Sequence, residues 1–166
     1  MRVAIISDTH IGQRLQDFPR AFYNNLGNPD IIVHSGDFTN LYSLEKVKSL
    51  APVFYGVQGN MDDPDVKNKL PQQQQFQLVG KKFALIHGWS SGWDLHKRVY
   101  NHFKSSQPDY ILFGHSHIPF NQNYGGIRLL NPGSVSGNIY SDKGSLIIMS
   151  INGNGEIDIE FKEFKI

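Results

Sequence analysis

Residues 2–10 read RVAIISDTH: a short apolar, partly β-branched run that ends at once in a carboxylate and an imidazole one residue apart. A run of this length, rich in Val and Ile, reads as a buried strand. Asp8 and His10 then lie just past its carboxyl end. The pattern recurs along the chain. IIVHSG (31–36) leads into Asp37, VFYGVQG (53–59) into Asn60, FALI (83–86) into His87, and YILFG (110–114) into His115 and His117. Stretches of helical spacing separate these runs, so an α/β fold is expected, a sheet covered by helices that begins with a βαβ unit.

The helices are read from caps and spacing. Asp17 is placed to cap a helix with Pro19 in its first turn, Phe18, Phe22 and Leu26 on one face, and Gly27 at its end. Ser43 precedes Leu44, Val47 and Leu50 in a second helix that Pro52 stops. Leu95, Val99 and Phe103 recur every four residues after Asp94, so DLHKRVYNHFKSS (94–106) is an amphipathic helix whose His96 and His102 carry no ligand signal. Farther on, NYGG (123–126) and NGNG (152–155) are turn clusters between strands, which predicts antiparallel hairpins toward the carboxyl end. In the last of these strands Ile157, Ile159 and Phe161 alternate with Asp158, Glu160 and Lys162, one face inward and one to water. QQQQ (72–75), next to Pro71, reads as an exposed connection.

In an open α/β sheet the loops at the carboxyl ends of parallel strands converge on one rim. Asp8, His10, Asp37, Asn60, His87, His115 and His117 would meet there. Singly, each has an ordinary reading: Asn60 as a turn residue, Gly36 with Asp37 as a tight turn. Together, so many carboxylates and imidazoles are costly to bury unless cations neutralise the acids and occupy the ring lone pairs. Two divalent ions suit that number. With Asp37 shared, each ion has four protein ligands, leaving positions for a common water or hydroxide and for substrate oxygens. His115 and His117 point to the same side of an extended chain and reach two ions about 3.5 to 4 Å apart.

Composition narrows the classes. The 166 residues carry 16 Lys and Arg against 15 Asp and Glu, a formal charge of +1, so the broad positive field of a protein that grips a nucleic-acid polymer is absent. There is no cysteine, which excludes disulfides, a thiolate nucleophile and thiolate metal ligands. One domain over 1–166 is expected. The apolar run before Ser7 is too short for a secretory signal, and no run reaches membrane-spanning length, so the expected place is the cytoplasm.

The blocks DTH (8–10), GD (36–37), GNMD (59–62), HG (87–88) and GHSH (114–117) resemble those of the calcineurin-like metallophosphoesterases, and NPGS (131–134) resembles a block of their small single-domain archaeal and bacterial phosphodiesterase branch, a relative of the retromer scaffold subunit. The resemblance implies a four-layer αββα sandwich of mixed sheets and a two-metal site, occupied by manganese or nickel, with iron or zinc as alternatives. It places Asp8, His10, Asp37 and His117 on one ion and Asp37, Asn60, His87 and His115 on the other. Asp37, Asn60 and His10 become the catalytic candidates, with Asn60, His87 and Met61 beside the substrate. Asp62 is implied as a loop-fixing acid and NPGS as the shape of the loop behind the site.

The chain departs from the family at Met61, where many members carry a histidine that steadies the phosphate or protonates the leaving oxygen; a thioether does neither. Trp89 stands where close relatives have histidine, either as a pocket wall or as ordinary packing. The implied reaction is hydrolysis of a small phosphodiester or nucleotide-like substrate by a hydroxide shared between the metals. The alternative is a catalytically weak protein-binding scaffold on the same fold. Self-association as a homodimer or higher oligomer is a further expectation.

Overall fold

The computed structural model describes residues 1–90, 94–138 and 141–166. Strands β1 (Arg2–Ile6), β2 (Ile31–His34) and β3 (Val53–Gly56) run parallel, joined by helices α1 (Arg20–Leu26) and α2 (Leu41–Lys48). Helix α3 (Pro64–Lys69) leads to an antiparallel pair, β4 (Gln73–Leu78) and β5 (Lys81–Ile86). Helix α4 (Leu95–Phe103) then returns the chain to β6 (Tyr110–Leu112). Two hairpins finish the fold: β7 (Pro119–Tyr124) with β8 (Ile127–Pro132), and β9 (Lys143–Ile151) with β10 (Ile157–Lys165).

These strands form two mixed sheets, ordered β10-β9-β1-β2-β3 and β4-β5-β6-β8-β7. The near-continuous apolar runs are explained by burial on both faces. In β1, Val3 and Ile5 enter a core between the two sheets with Phe83, Leu85, Leu112, Leu130, Ile147 and Met149. Ala4 and Ile6 face the opposite way, against Phe22, Leu26, Leu44 and Val47 of α1 and α2. On the far side, Ala84, Ile86, Ile111, Phe113 and Leu129 meet Leu95, Val99 and Phe103 of α4. Three apolar interfaces separate four layers, αββα. Among the described residues no helix is long and apolar enough to cross a membrane.

Several local expectations are corrected. Helix α1 starts at Arg20 with Pro19 at its cap position and no side-chain cap. Asp17 instead accepts from its neighbour Phe18 N at 2.6 Å and pairs with Lys46. Helix α2 begins two residues before Ser43 and is capped by Asn40, whose Oδ1 accepts from Ser43 N at 2.9 Å. Ser43 is buried inside the first turn. The glutamine run is not a connection: Gln73, Gln74 and Gln75 pair in register with Ile86, Leu85 and Ala84 as the edge of the second sheet. Its Gln residues carry no strand signal of their own.

Candidate metal centre

The parallel strands deliver their loops to one rim, where main-chain bonds fasten them together. Asp8 N donates to Gly36 O at 3.0 Å, His10 N to Asp37 O at 3.2 Å, and Gly114 N to His87 O at 3.0 Å. The turns are abrupt: Asp8, His10, Asp37, His115 and His117 all have φ between 46° and 68°, in the left-handed region. A non-glycine residue there costs about 1 kcal/mol or more, so the rim holds strain that its bonds must offset. Two glycines permit the crowding. A Cβ at Gly114 would lie 2.0 Å from Ser7 Oγ and 2.8 Å from Asp8 Oδ2, and one at Gly59 would lie 2.1 Å from Asp37 Oδ1.

All seven predicted residues come together, in two sets that meet at Asp37. In the first, His117 Nε2 is 3.0 Å from Asp8 Oδ1 and 3.4 Å from His10 Nε2, and His10 Nε2 is 3.6 Å from Asp37 Oδ2. In the second, His87 Nε2 is 3.3 Å from the same Asp37 Oδ2 and 3.0 Å from Asn60 Oδ1, which is 2.8 Å from His115 Nδ1. Asp8, Asp37, His10 and His87 are buried, whereas Asn60 is exposed and both later histidines are partly open.

Each carboxylate is divided in its duties. Asp8 Oδ2 accepts from Ser7 Oγ at 2.5 Å and His115 N at 3.1 Å, leaving the buried Oδ1 to face the imidazoles, 3.0 Å from His117 Nε2. Asp37 Oδ1 accepts from Met61 N at 2.7 Å, leaving Oδ2 between the two sets. The histidines are oriented similarly. Ser35 O lies 2.6 Å from His87 Nδ1 and Gly137 O lies 3.0 Å from His117 Nδ1, so each Nδ1 donates outward and each Nε2 faces the acids, as an N–H while the ring is protonated and as a lone pair once that proton is lost. Two triads, Asp8 with His10 and His117 and Asp8 with Asp37 and His87, each bring ligand atoms within 4.8 Å of one another, a donor set that divalent cations fit.

The electrostatics say the same. Burial raises the pKa of Asp8, but hydrogen bonding to His10 and His117 and the charge of His87 outweigh it and hold this carboxyl well below its ordinary value. Burial pulls His87 down, yet Asp37 first and Asp8 after it push the ring up to about 9. Burial likewise opposes, and Asp8 reverses, the shift of His117, which rises. His115 is lowered by burial and by the charge of His87. In the metal-free protein, protons on imidazoles therefore neutralise the acids in place of cations.

Other residues do the work the sequence motifs suggested or concealed. Asp62 Oδ1 and Oδ2 accept from Thr39 N and Gly59 N, both at 2.7 Å, tying the Asp37 loop to the Asn60 loop. Asn131 Nδ2 donates to Gly114 O at 2.8 Å, and Ser134 Oγ and Ser136 Oγ donate to Asp8 O at 2.9 and 3.0 Å, so the NPGS loop supports the rim from behind. His96 stacks on Phe120, away from the acids. Arg14 gave no signal in the sequence; its Nη1 stands 3.3 Å from His117 Nδ1 and donates to Gly137 O at 3.4 Å, bringing a fixed positive charge to the rim.

Comparison with known proteins agrees with this geometry. The family model described as the calcineurin-like phosphoesterase superfamily domain matches residues 1–154. A probable metallophosphoesterase of Methanocaldococcus jannaschii is 36% identical over 137 residues, 81% of this chain and 68% of that protein. A protein of the same organism named as a phosphodiesterase is 24% identical over 99% of this chain and 97% of its own length. The crystal structure of Vps29 from Chaetomium thermophilum shares the fold with a TM-score of 0.80 at 18% identity, over 99% of this chain and 93% of that one. With its αββα layers, its rim of acids and imidazoles, and a family match over nearly its whole length, the chain belongs to the calcineurin-like phosphoesterase superfamily.

Proposed function

We propose that the protein is a phosphodiesterase that hydrolyses a small phosphodiester with two divalent cations. The family is one that binds divalent metals. One cation is held by Asp8, His10, Asp37 and His117, the other by Asp37, Asn60, His87 and His115. The observation that carries this reading is the position of Asp37 Oδ2, within 3.6 Å of His10 Nε2 and 3.3 Å of His87 Nε2, between the two donor sets. Manganese or nickel fits the mixed nitrogen and oxygen ligands, with iron or zinc as alternatives. When bound, such ions activate water as a nucleophile at neutral pH and neutralise phosphoryl oxygens.

The chain's own residues supply the rest. Asp37 and Asp8 provide the negative charge that retains the cations, and the Nδ1 bonds of His87 and His117 keep their rings in the ligating tautomer. Arg14 adds a guanidinium for a phosphoryl oxygen at the open side, and Asn60 and His87 stand where the ester's organic group leaves the rim. Met61 is fixed beside the centre by its N–H bond to Asp37, but 47% of its surface is exposed and its thioether has no proton to give. Esters with good leaving groups are therefore the better substrates. The family match and the relative named as a phosphodiesterase support the enzyme over a scaffold of the same fold.

The test is hydrolysis of bis-p-nitrophenyl phosphate by chelator-stripped protein reloaded with manganese or nickel. Turnover that depends on the added metal is expected. Absence of turnover with every first-row divalent metal, in protein that still folds, overturns the enzymatic reading in favour of the scaffold.

A further inference from the structure

Beside the metal centre, a groove of about 460 Å3 runs from Asn60 and His87 to Trp89 and His102. Its size suits a small organic ligand rather than a lone phosphate. The chemistry of its walls is selective: side-chain amides, three aromatic rings, a single aliphatic residue in Ile86, one ammonium in Lys67 and, among the described residues, no carboxylate.

The aromatic end is a corner of fixed shape. The rings of Trp89 and His102 stand 5.4 Å apart at 72°, edge against face. Arg98 Nη2 donates to Trp89 O at 3.4 Å and to Ser90 O at 3.1 Å, anchoring the loop to α4. His102 Nε2 contacts Gln73 Oε1, fixing the second ring against the edge strand. Trp89 is nevertheless 38% exposed, so ring surface remains open.

The amide and cationic end is equally constrained. Gln58 Nε2 donates to Leu70 O at 2.8 Å and Lys67 O at 3.3 Å, which leaves its Oε1 as an acceptor. Lys67 Nζ donates to Asn60 O at 3.1 Å and keeps protons for another partner, placing a positive charge at the junction of groove and metal centre.

We infer that this groove is the subsite for the organic group esterified to phosphorus, and that it selects a nucleobase, lying against Trp89 with its polar edge toward the amides. The location of phosphorus at the groove's mouth rests on the phosphodiesterase reading; the base-binding corner does not. Lys67 then lies beside the sugar-phosphate portion. A nucleobase matches the lining because it joins a planar ring for stacking to donors and acceptors on its edge.

The experiment separates the two ideas. The chain has two tryptophans, so in Trp93→Phe the fluorescence reports Trp89 alone. Adenosine, AMP, ribose 5-phosphate and inorganic phosphate are titrated into this variant, metal-stripped and manganese-loaded. Adenosine should quench saturably in both states, and ribose 5-phosphate should bind more weakly than AMP. By calorimetry on the otherwise native chain, Trp89→Ala should weaken adenosine binding by about 5- to 150-fold while Trp89→Phe retains it. With loaded enzyme, Trp89→Ala should lower kcat/KM for thymidine 5′-p-nitrophenyl phosphate but not for methyl p-nitrophenyl phosphate. Equal binding of ribose 5-phosphate and AMP, or adenosine affinity within twofold of native in Trp89→Ala, overturns the subsite. Adenosine binding through Trp89 without hydrolysis under any metal upholds the subsite and overturns the phosphodiesterase.

Discussion

Replacing Asp37 by Asn probes the electrostatics of the rim at its centre. In the metal-free protein Asp37 Oδ2 lies 3.3 Å from His87 Nε2, and this contact, reinforced by Asp8, overrides burial and lifts His87 to about 9. In the unfolded chain the ring titrates near 6.5. Between these values only the folded form holds the proton, so the stabilisation is complete below pH 6.5 and is lost as pH rises through 9. At about 1.4 kcal/mol per pH unit it amounts to roughly 3 kcal/mol. Asp37→Asn preserves shape and retains an amide oxygen for the Met61 N–H, but removes the charge. His87 should then titrate below its ordinary value, because burial is left without its main opponent. The decline in stability between pH 6.5 and 9 should flatten. Metal binding at pH 7 should release close to one proton from His87 in the native protein and none from it in the variant, which also binds metal far more weakly. Imidazole NMR titration of chelator-stripped protein gives the pKa, urea unfolding at pH 6.5 and 9 gives the slope, and calorimetry in buffers of different ionisation enthalpy counts protons. A native His87 that titrates near 6.5, or one whose midpoint is the same in Asp37→Asn, refutes this reasoning.

Acid should act through a different histidine. His34 is fully buried, its Nδ1 accepts from Gly36 N at 3.0 Å, and burial pulls it down to about 3, so its contribution is present above pH 6.5 and falls by about 2 kcal/mol by pH 5. In metal-free His34→Asn, urea unfolding should show that acid slope flattened; an unchanged slope assigns it elsewhere. Gly114→Ala would drive a methyl into Ser7 Oγ and the Asp8 carboxylate, costing about 1 to 3 kcal/mol and lowering manganese affinity at least tenfold by calorimetry; native affinity would show that Asp8 is not a ligand. Met61→His restores a proton donor beside Asp37, and kcat on alkyl phosphodiesters should rise by up to about 10² to 10⁴ while p-nitrophenyl esters change little. Equal gains on both substrates would exclude a role at the leaving oxygen.

Much of this was legible because burial leaves a strong imprint on composition. Strands such as β1, with Val3 and Ile5 in one core and Ala4 and Ile6 in another, cannot alternate in polarity, and their apolar runs announce a sheet covered on both sides. The seven rim residues were legible because strand ends impose an order on them. What escaped depends on tertiary context. Asp17 sits where a cap would, but Pro19 takes the cap position and Lys46 takes the carboxylate. Strand β4 is a polar edge whose register is set by β5 rather than by its own side chains. Helix α3, six residues long and capped by Asp63, is too short for periodicity. The left-handed turns at Asp8, His10 and Asp37 have no local signature, since they are imposed by bonds from other loops. Arg14 and Lys67 reach the centre from elements whose own sequence speaks only of solvent.

Those left-handed turns have a bearing on how the protein acquires its ions. A pocket whose loops are already shaped by backbone bonds spends little binding energy on ordering them, so loading should be a single bimolecular step coupled to loss of the imidazole protons, without a slow rearrangement. Backbone shape of this kind leaves the choice among first-row cations to ligand type, their intrinsic order of affinity and availability. Which element occupies the pocket then depends on supply in the surroundings, and preparations grown in different media should differ in metal content while sharing one protein conformation.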